Sequence, residues 1–472
     1  MQSPRSESAT VAAPRIAFLP TLGGPYFALA VLFAMNLLNY IDRYSFFAVG
    51  TQIQRDLKIE DRWYGVLGAS FMIVYTLVSP LMGWLGDRYN RRMLLAGGVG
   101  LWSFATVGTA FSNDFYQMFF WRALLGIGEA SYGVIAPALL ADLFPVSRRG
   151  RAMGVYYLAL PLGTALGYIL AGAIASVLSW PAVFLAVGLP GLVAAVFGLM
   201  IRDPGRGASD ATTFDAKASR PRMKEYLELF KTPTFVYNTA GMAAVTFATG
   251  AYAAWGSTFY QRVRGMSLKD ANNWIGGLLA VAGLVGIAVG TFLADFLLKY
   301  TRRAYLLLAA TVVAAAVPLG LAGILDPERY SSLGFLFLAC VLMAMVLGPS
   351  NTVTANVVPA NQRAAGYALF IFLIHLFGDI SSPILLGWIS DTFGSQTVIN
   401  SGFGQFLDAL GAGAKPDQNG VMTNLTIAMM SVAPVLILGS FFFLLGSRHL
   451  PADMDRVAAS SDPPGEDPPP VH

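Results

Sequence analysis

Twelve times along this chain, a continuous apolar stretch long enough to cross a bilayer passes with no more than two charged residues inside it. The stretches fall at roughly 25–50, 63–86, 92–112, 117–141, 152–177, 181–201, 234–260, 272–296, 304–325, 332–356, 364–390 and 421–446. A helix needs about 20 mostly apolar residues to cross the hydrocarbon core. In that core no water can satisfy an open backbone group, so each run must close its own hydrogen bonds as a helix. The runs do not alternate with period two, which excludes a β-barrel. Gly and Pro recur inside them, as they do in membranes and seldom in soluble helices. The chain is therefore expected to be an all-α membrane protein of twelve transmembrane helices.

Composition removes the other classes. Hydrophobic residues make up 55% and charged residues only 12% of the 472, about half the roughly 25% charged share of a soluble chain. The 32 Phe and single cysteine exclude disordered, collagen-like and disulfide-stapled chains. Cys340 lies in an apolar run and reads as an inert core thiol. His375, His449 and His472 are scattered, so no histidine metal site and no cofactor is expected. A net charge of +4 is too small and dispersed for nucleic acid.

Lys and Arg set the orientation. With both termini inside, the inner segments carry 21 of the 31 and the outer loops eight, while Arg43 and Arg122 lie within spans. The expected location is the plasma (inner) membrane with both ends cytoplasmic. Residues 1–22 are polar and Pro-rich and read as a disordered tail rather than a cleavable signal. Two six-helix units follow, 23–201 and 234–447, joined by a charged cytoplasmic linker at 202–233. Within it, Arg222 to Lys231 reads as an amphipathic surface helix, or equally as a plain solvated one. The segment 448–472, rich in Pro and acidic residues toward its end, is expected to be disordered.

The two halves resemble each other. Ala141-Asp142-Leu143-Phe144-Pro145 with Arg149 returns 214 positions later as Ala355-Asn356-Val357-Val358-Pro359 with Arg363. Gly83-Trp84-Leu85-Gly86-Asp87-Arg88 before Arg91-Arg92 has a looser counterpart in Leu293-Ala294-Asp295 before Arg302-Arg303. Parallel six-span repeats are the layout of carriers that rock around a midplane site.

At these residues the sequence resembles the major facilitator superfamily. Gly83-x-Leu85-x-Asp87-Arg88-x-x-Arg91-Arg92 looks like its signature between the second and third helices, with Asn90 where the family usually has Gly. Arg122 through Gly126-Ile-Gly128-Glu129 looks like its fourth-helix motif, and Pro161-x-Gly163-x-x-x-Gly167 like part of its fifth. A narrower resemblance is to the Spinster branch, whose members move lysolipids or sphingosine-1-phosphate. It rests on Asn39-Tyr40-Ile41-Asp42-Arg43-Tyr44, Gly126 to Ala130, and His375-Leu-Phe-Gly378-Asp379-Ile-Ser381-Ser382-Pro383 running on to Gly387-Trp-Ile-Ser390-Asp391. The short loops and tails suggest a bacterial member. The resemblance implies two pseudo-symmetric six-helix bundles.

A charge at the centre of a membrane helix costs at least about 2.5–3.5 kcal/mol and is a functional candidate by default. Asn36, Asn39, Asp42 and Arg43 form a stripe on the first span, and Arg122 and Glu129 share a face of the fourth. They are expected to meet as a four-charge cluster. One reading is structural, a lock between the two helices. The other is proton coupling, with Asp42 and Glu129 as carriers, Arg43 as the switch on proton affinity and Arg122 as anchor for an anionic headgroup. Asn39, Glu129, Tyr156, Tyr157, Tyr252 and His375 are further candidates to line the substrate cavity, although aromatics at helical spacing are more often packing. His375 can pair with Asp379 on a face shared with Ser382. Gly83, Asp87, Arg88, Arg91, Arg92, Asp142, Arg148, Arg149 and Asp295 are expected to gate the inner face, or simply to anchor the loops. The kink signal Gly348-Pro349 precedes Ser350 and Asn351, and Gly276, Gly283 and Gly290 read as a packing stripe.

The expected function is secondary active transport of an amphipathic lipid or lysolipid by alternating access, coupled to protons through Asp42 and Glu129. The expected partners are the substrate, protons and membrane lipids, and the expected assembly is a monomer. The alternative is a carrier for a sugar, organic acid or drug. No hydrolase, zinc-protease or nucleotide-loop pattern is present in the sequence, so neither an enzyme nor an ATP-driven pump is expected.

Overall fold

The computed structural model describes residues 24–205, 208, 228–359 and 362–461. Within them the chain crosses the bundle twelve times. Helices α1 (Pro25–Ala48), α2 (Asp61–Arg88), α3 (Arg91–Thr109) and α4 (Phe115–Leu143) come first. α5 follows in two pieces, Val146–Tyr157 and Ala159–Val177, then α6 (Trp180–Gly198). The second half has α7 (Pro233–Arg262), α8 (Leu268–Leu297) and α9 (Ala304–Leu325). Each of its last three spans is broken: α10 into Arg329–Ala344 and Leu347–Val357, α11 into Arg363–Phe377 and Ser381–Phe393, and α12 into Leu425–Met430 and Val432–Ser461. Ten of the spans are long and apolar enough by themselves to cross a membrane. The other two, α3 and α7, hold their places by packing, α3 against α4 and α6 and α7 against α12. An even number of crossings puts both ends of the described chain on one face. The protein is an integral membrane protein.

Sequence chemistry explains where the helices start. Asn90 caps α3, its side-chain oxygen accepting from the backbone N–H of Arg92 at 3.1 Å and of Met93 at 3.4 Å. With φ at −67° the position needs no glycine, which accounts for Asn where the resembled signature has Gly. Asp114 caps α4, Ser267 caps α8 and Glu328 caps α10 in the same way.

Small residues set the packing. A Cβ on Gly128 of α4 would lie 2.6 Å from the carbonyl of Gly98 and from the N–H of Trp102, so α3 and α4 touch backbone to backbone. On α8, Gly276 meets Ala165 of α5 and Gly290 meets the Met345 carbonyl of α10. Gly283 faces open space, so the expected three-glycine packing stripe contains two working members.

The break in α10 falls at Met345–Val346, just before the Gly348-Pro349 kink signal. Proline has no N–H to return to the carbonyl four residues earlier, which is that of Met345. α11 breaks at Gly378, where the N–H of Ile380 reaches back five residues to the His375 carbonyl at 3.1 Å. One correction concerns the tail. The segment from 448, expected to be disordered, is helical as far as Ser461, because Leu450 is fully buried and Asp453 accepts from the Thr234 N–H at 3.0 Å. Most of the expected amphipathic linker helix, and residues 1–22, lie outside the described residues.

Between the halves, the described hydrogen bonds and ion pairs lie toward the face opposite the termini. They include Asn272 Nδ2 to the Ala48 carbonyl at 2.9 Å, Thr51 to Gln261 at 2.8 Å and Arg262 to Asp61 at 2.7 Å. A short helix, Gly50–Leu57, and a two-strand hairpin, Lys415–Pro416 with Met422–Thr423, sit on that same face.

Candidate functional site

Four candidate charges lie buried in the N-terminal half at mid-span, and they sort into pairs the sequence did not anticipate. Arg43 Nη2 donates to Glu129 Oε2 at 2.6 Å, tying α1 to α4. The same guanidinium lies against the rings of Phe71 (4.9 Å), Tyr40 (5.3 Å) and Tyr75 (6.0 Å), which stabilise a desolvated cation. Asp42, one residue along and on another side of α1, instead takes a hydrogen bond from the Thr106 hydroxyl of α3. Arg122 does not ion-pair. Its Nε donates to the Leu67 carbonyl at 2.7 Å, its Nη2 reaches Gly68 at 3.5 Å, and it stacks 3.7 Å from the Phe46 centroid. The guanidinium expected to anchor a headgroup is thus engaged by α2 backbone and an aromatic ring. The four charges still lie within Coulombic reach of one another.

The second half faces this cluster with the loosened segment of α11. His375 Nδ1 sits 2.9 and 3.0 Å from the two carboxylate oxygens of Asp379. Arg43 lies within Coulombic reach of His375, and Tyr44 within reach of Asp379. Side-chain exposures of 16% for Arg43, 28% for His375 and 23% for Asp379 mark a hollow between the halves. Gly250 of α7 makes room for the break, since a Cβ there would lie 2.7 Å from Asp379 Cβ and 2.8 Å from Ser382 Oγ.

The hollow carries unmet hydrogen-bonding capacity. Glu129 Oε1, Asn39 Nδ2, Arg43 Nε and Ser382 Oγ are buried and bond to no other protein group. Each is a group a ligand or water must satisfy, at a cost of about 1–3 kcal/mol if left bare.

The other candidates divide. Asn36 supports α5 by donating to the Tyr156 carbonyl at 3.1 Å. Tyr157 is half exposed and adjoins Tyr156, which is buried near Tyr132. Tyr252 is not brought to the site: it is buried with its hydroxyl toward Gly320 of α9, because α7 turns that face into its own half.

On the face bearing the termini, Arg91 holds two carboxylates, Asp142 at 2.5 Å and Asp203 at 2.5 Å. Asp203 belongs to the Arg202-Asp203-Pro204-Gly205 turn, which the sequence marked only as a stop signal. Arg88 stacks 4.0 Å over Trp84, and Asp87 is exposed. Arg92 lies in the first turn of α3, and Arg148 and Arg149 in the first turn of α5. Gly83 is in ordinary contact with Val134. In the second half Asp295 accepts from the Tyr305 hydroxyl at 3.1 Å, while Arg302 pairs with Asp455 at 2.5 Å on α12.

A sequence profile described as the Major Facilitator Superfamily matches residues 32–383. "Protein spinster homolog 1" of Xenopus tropicalis is 31% identical over 447 residues, covering 90% of this chain and 81% of that one. "Protein spinster" of Drosophila melanogaster is 32% identical over 379 residues, 78% and 62% of the two chains. Among solved structures, a bacterial homolog to the human lysosomal transporter Spinster, in an inward-facing and unoccupied conformation, superposes with a TM-score of 0.77 at 23% identity, covering 91% of this chain and 98% of that one. A D-xylose-proton symporter does so at 0.68 and 16%, covering 89% and 97%. These two likenesses speak for the fold.

Proposed function

The chain belongs to the Major Facilitator Superfamily and to its Spinster-like branch, a branch of transporters rather than enzymes, and from that premise we propose that it is a proton-coupled carrier of an amphipathic lipid or lysolipid. The observation that carries this reading is the buried charge set Asp42, Arg43 and Glu129 at the seam between the halves. An arrangement this costly is not required to hold helices together, since apolar packing does so more cheaply.

Thr106 supports a coupling role for Asp42. Its hydroxyl has one proton and faces two acceptors, the Asp42 carboxyl and the Trp102 carbonyl at 3.0 Å. Both contacts become hydrogen bonds at once only when Asp42 carries a proton and donates it. With Asp42 ionised, one contact is lost. Proton occupancy at Asp42 thereby alters how α1 sits on α3, and α1 borders the hollow. The Arg43–Glu129 pair forms the second element. An anionic headgroup reaching Arg43 competes with Glu129 for the guanidinium, and Glu129 then takes a proton or swings away. The bare groups on Glu129, Asn39 and Arg43 suit a headgroup with both donors and acceptors. The half-exposed Tyr157 offers an apolar wall for the tail. By the Lys and Arg bias, the face with the termini is cytoplasmic in the plasma (inner) membrane, so this state opens inward.

The test is uptake into proteoliposomes under an imposed pH gradient, comparing lysophospholipids, sphingoid phosphates and sugars. Acceleration for an amphipathic lipid that Asp42→Asn abolishes, with the variant still monodisperse, is the expected result. Unchanged gradient-driven uptake in Asp42→Asn removes Asp42 from the mechanism, and uptake of sugar alone overturns the substrate class.

A further inference from the structure

The pattern Gly83-Trp-Leu-Gly-Asp87 at the end of α2 returns as Gly387-Trp-Ile-Ser-Asp391 at the end of α11. The two copies lie on opposite faces of the bundle. The second copy is built into the closed seam. Ser390 Oγ donates to Asp61 Oδ2 at 2.7 Å, and Asp391 Oδ2 accepts the Arg62 backbone N–H at 2.9 Å. Gly387 lies so close that a Cβ would stand 2.3 Å from the Asp61 carbonyl. Asp61 and Arg62 are the first two residues of α2, so a carboxylate from the second half sits on the N-terminus of a helix in the first.

Asp61 has no exposed surface. Besides Ser390, its carboxylate accepts from Arg262 Nη1 at 2.7 Å and Gln54 Nε2 at 2.8 Å. Arg262 Nη2 returns to Gln54 Oε1 at 2.5 Å, and Asn419 beside the hairpin donates to the Gln54 carbonyl at 3.2 Å. Gln54, Asp61 and Arg62 belong to one half; Arg262, Ser390, Asp391 and Asn419 belong to the other.

We infer that Asp61, Arg262, Ser390 and Asp391 form the gate that closes the face away from the termini, and that the Gly387–Asp391 pattern exists to dock on the start of α2. The choice of charge over apolar contact has a physical reason. A buried ion pair contributes little net adhesion, because each charge regains hydration when the halves part. It nevertheless holds one registered geometry while shut. A gate that must open on every cycle needs that combination, whereas an apolar seam would open only at the cost of exposing its whole area to water.

This inference rests on the alternating access proposed above, and the test separates the two. The full chain in lipid nanodiscs carries spin labels on cysteines at Asn113 and Gln405 for the closed face, or at Ser147 and Lys299 for the face of the termini. The native Cys340 is buried and stays in place. Distances are read by double electron–electron resonance from pH 5 to pH 8. In Asp61→Asn and in Arg262→Gln, the closed-face pair is expected to gain a longer component and the other pair a shorter one. The open-to-closed ratio should rise roughly tenfold, the loss of one charge-assisted bond. Ser390→Ala and Asp391→Asn each remove a single contact and keep the test open if a core variant misfolds; they should shift both distributions the same way by less. Both distributions unmoved in folded variants, while pH moves those of the wild type, overturn the gate alone. If neither pH nor any variant moves the wild-type pattern, alternating access itself is at fault.

Discussion

The Arg43–Glu129 pair makes an asymmetric prediction. Removing either partner leaves the other buried and alone, which in general costs about 3–5 kcal/mol. The two survivors differ in what they can do next. In Glu129→Gln, Arg43 remains charged at any accessible pH, because a guanidinium does not deprotonate in proteins. It keeps its contacts with Tyr40, Phe71 and Tyr75 and some solvent at 16% exposure, so the net cost is on the order of 2–4 kcal/mol and independent of pH. In Arg43→Gln, Glu129 is left with 1% exposure and escapes by taking up a proton. For a carboxyl of ordinary acidity that costs about 3.7 kcal/mol at pH 7 and about 1 kcal/mol at pH 5. The folded variant then binds one proton more than its unfolded chain at pH 7, so its stability must rise as pH falls. The assay is thermal unfolding followed by tryptophan fluorescence at pH 5 and pH 7, each variant set against wild type at the same pH. The Arg43→Gln deficit should shrink by up to about 2.7 kcal/mol in acid, on the order of 5–10 °C in Tm for one bundle, while the Glu129→Gln deficit holds. A deficit in Arg43→Gln that is equal at both values, or one in Glu129→Gln that narrows as much, refutes the reasoning.

Three further outcomes follow from particular contacts. Gly290→Ala drives a methyl into the Met345 carbonyl and should cost about 1–3 kcal/mol, whereas Gly283→Ala on the same helix meets open space and should gain roughly 0.5–1 kcal/mol; paired melting curves compare them. Asn90→Ala should lose about 0.5–2 kcal/mol with the α3 cap and Asn90→Gly only a few tenths, again by thermal unfolding. Tyr252→Phe should leave uptake rate and apparent KM in proteoliposomes unchanged, since its hydroxyl points to Gly320 within its own half; a changed KM would return Tyr252 to the cavity.

The architecture was legible because the bilayer permits so few solutions. Apolar runs of spanning length must be helices, and the observed spans begin and end within a few residues of the expected ones for most of the chain. What hydropathy cannot register is the state of the backbone inside a run. The break of α11 at Gly378 was invisible to it, because Phe377, Gly378 and Ile380 are as apolar as a regular helix requires. The seam contact between Asp61 and Arg262 spans 201 positions and follows no period. Its one trace was the repeated Gly-Trp-x-x-Asp pattern, whose position on the opposite face gives it a different task.

Helix geometry also explains why the right charges were found and wrongly paired. Neighbouring residues on a helix point about 100° apart. Asp42 and Arg43 therefore cannot both serve the same neighbour, and α1 lies between α3, where Thr106 waits, and α4, where Glu129 does. Arg122 and Glu129 do share a face of α4, yet seven residues at 1.5 Å each set them about 10 Å apart along the axis. That leaves Arg122 at the level of Phe46 and the Leu67 carbonyl, and Glu129 at the level of Arg43. A spacing rule gives the face and not the height. In a site assembled from α1, α3 and α4, the height decides which acid keeps an arginine and which is left to a hydroxyl, and so which of them a proton can reach without first displacing a cation.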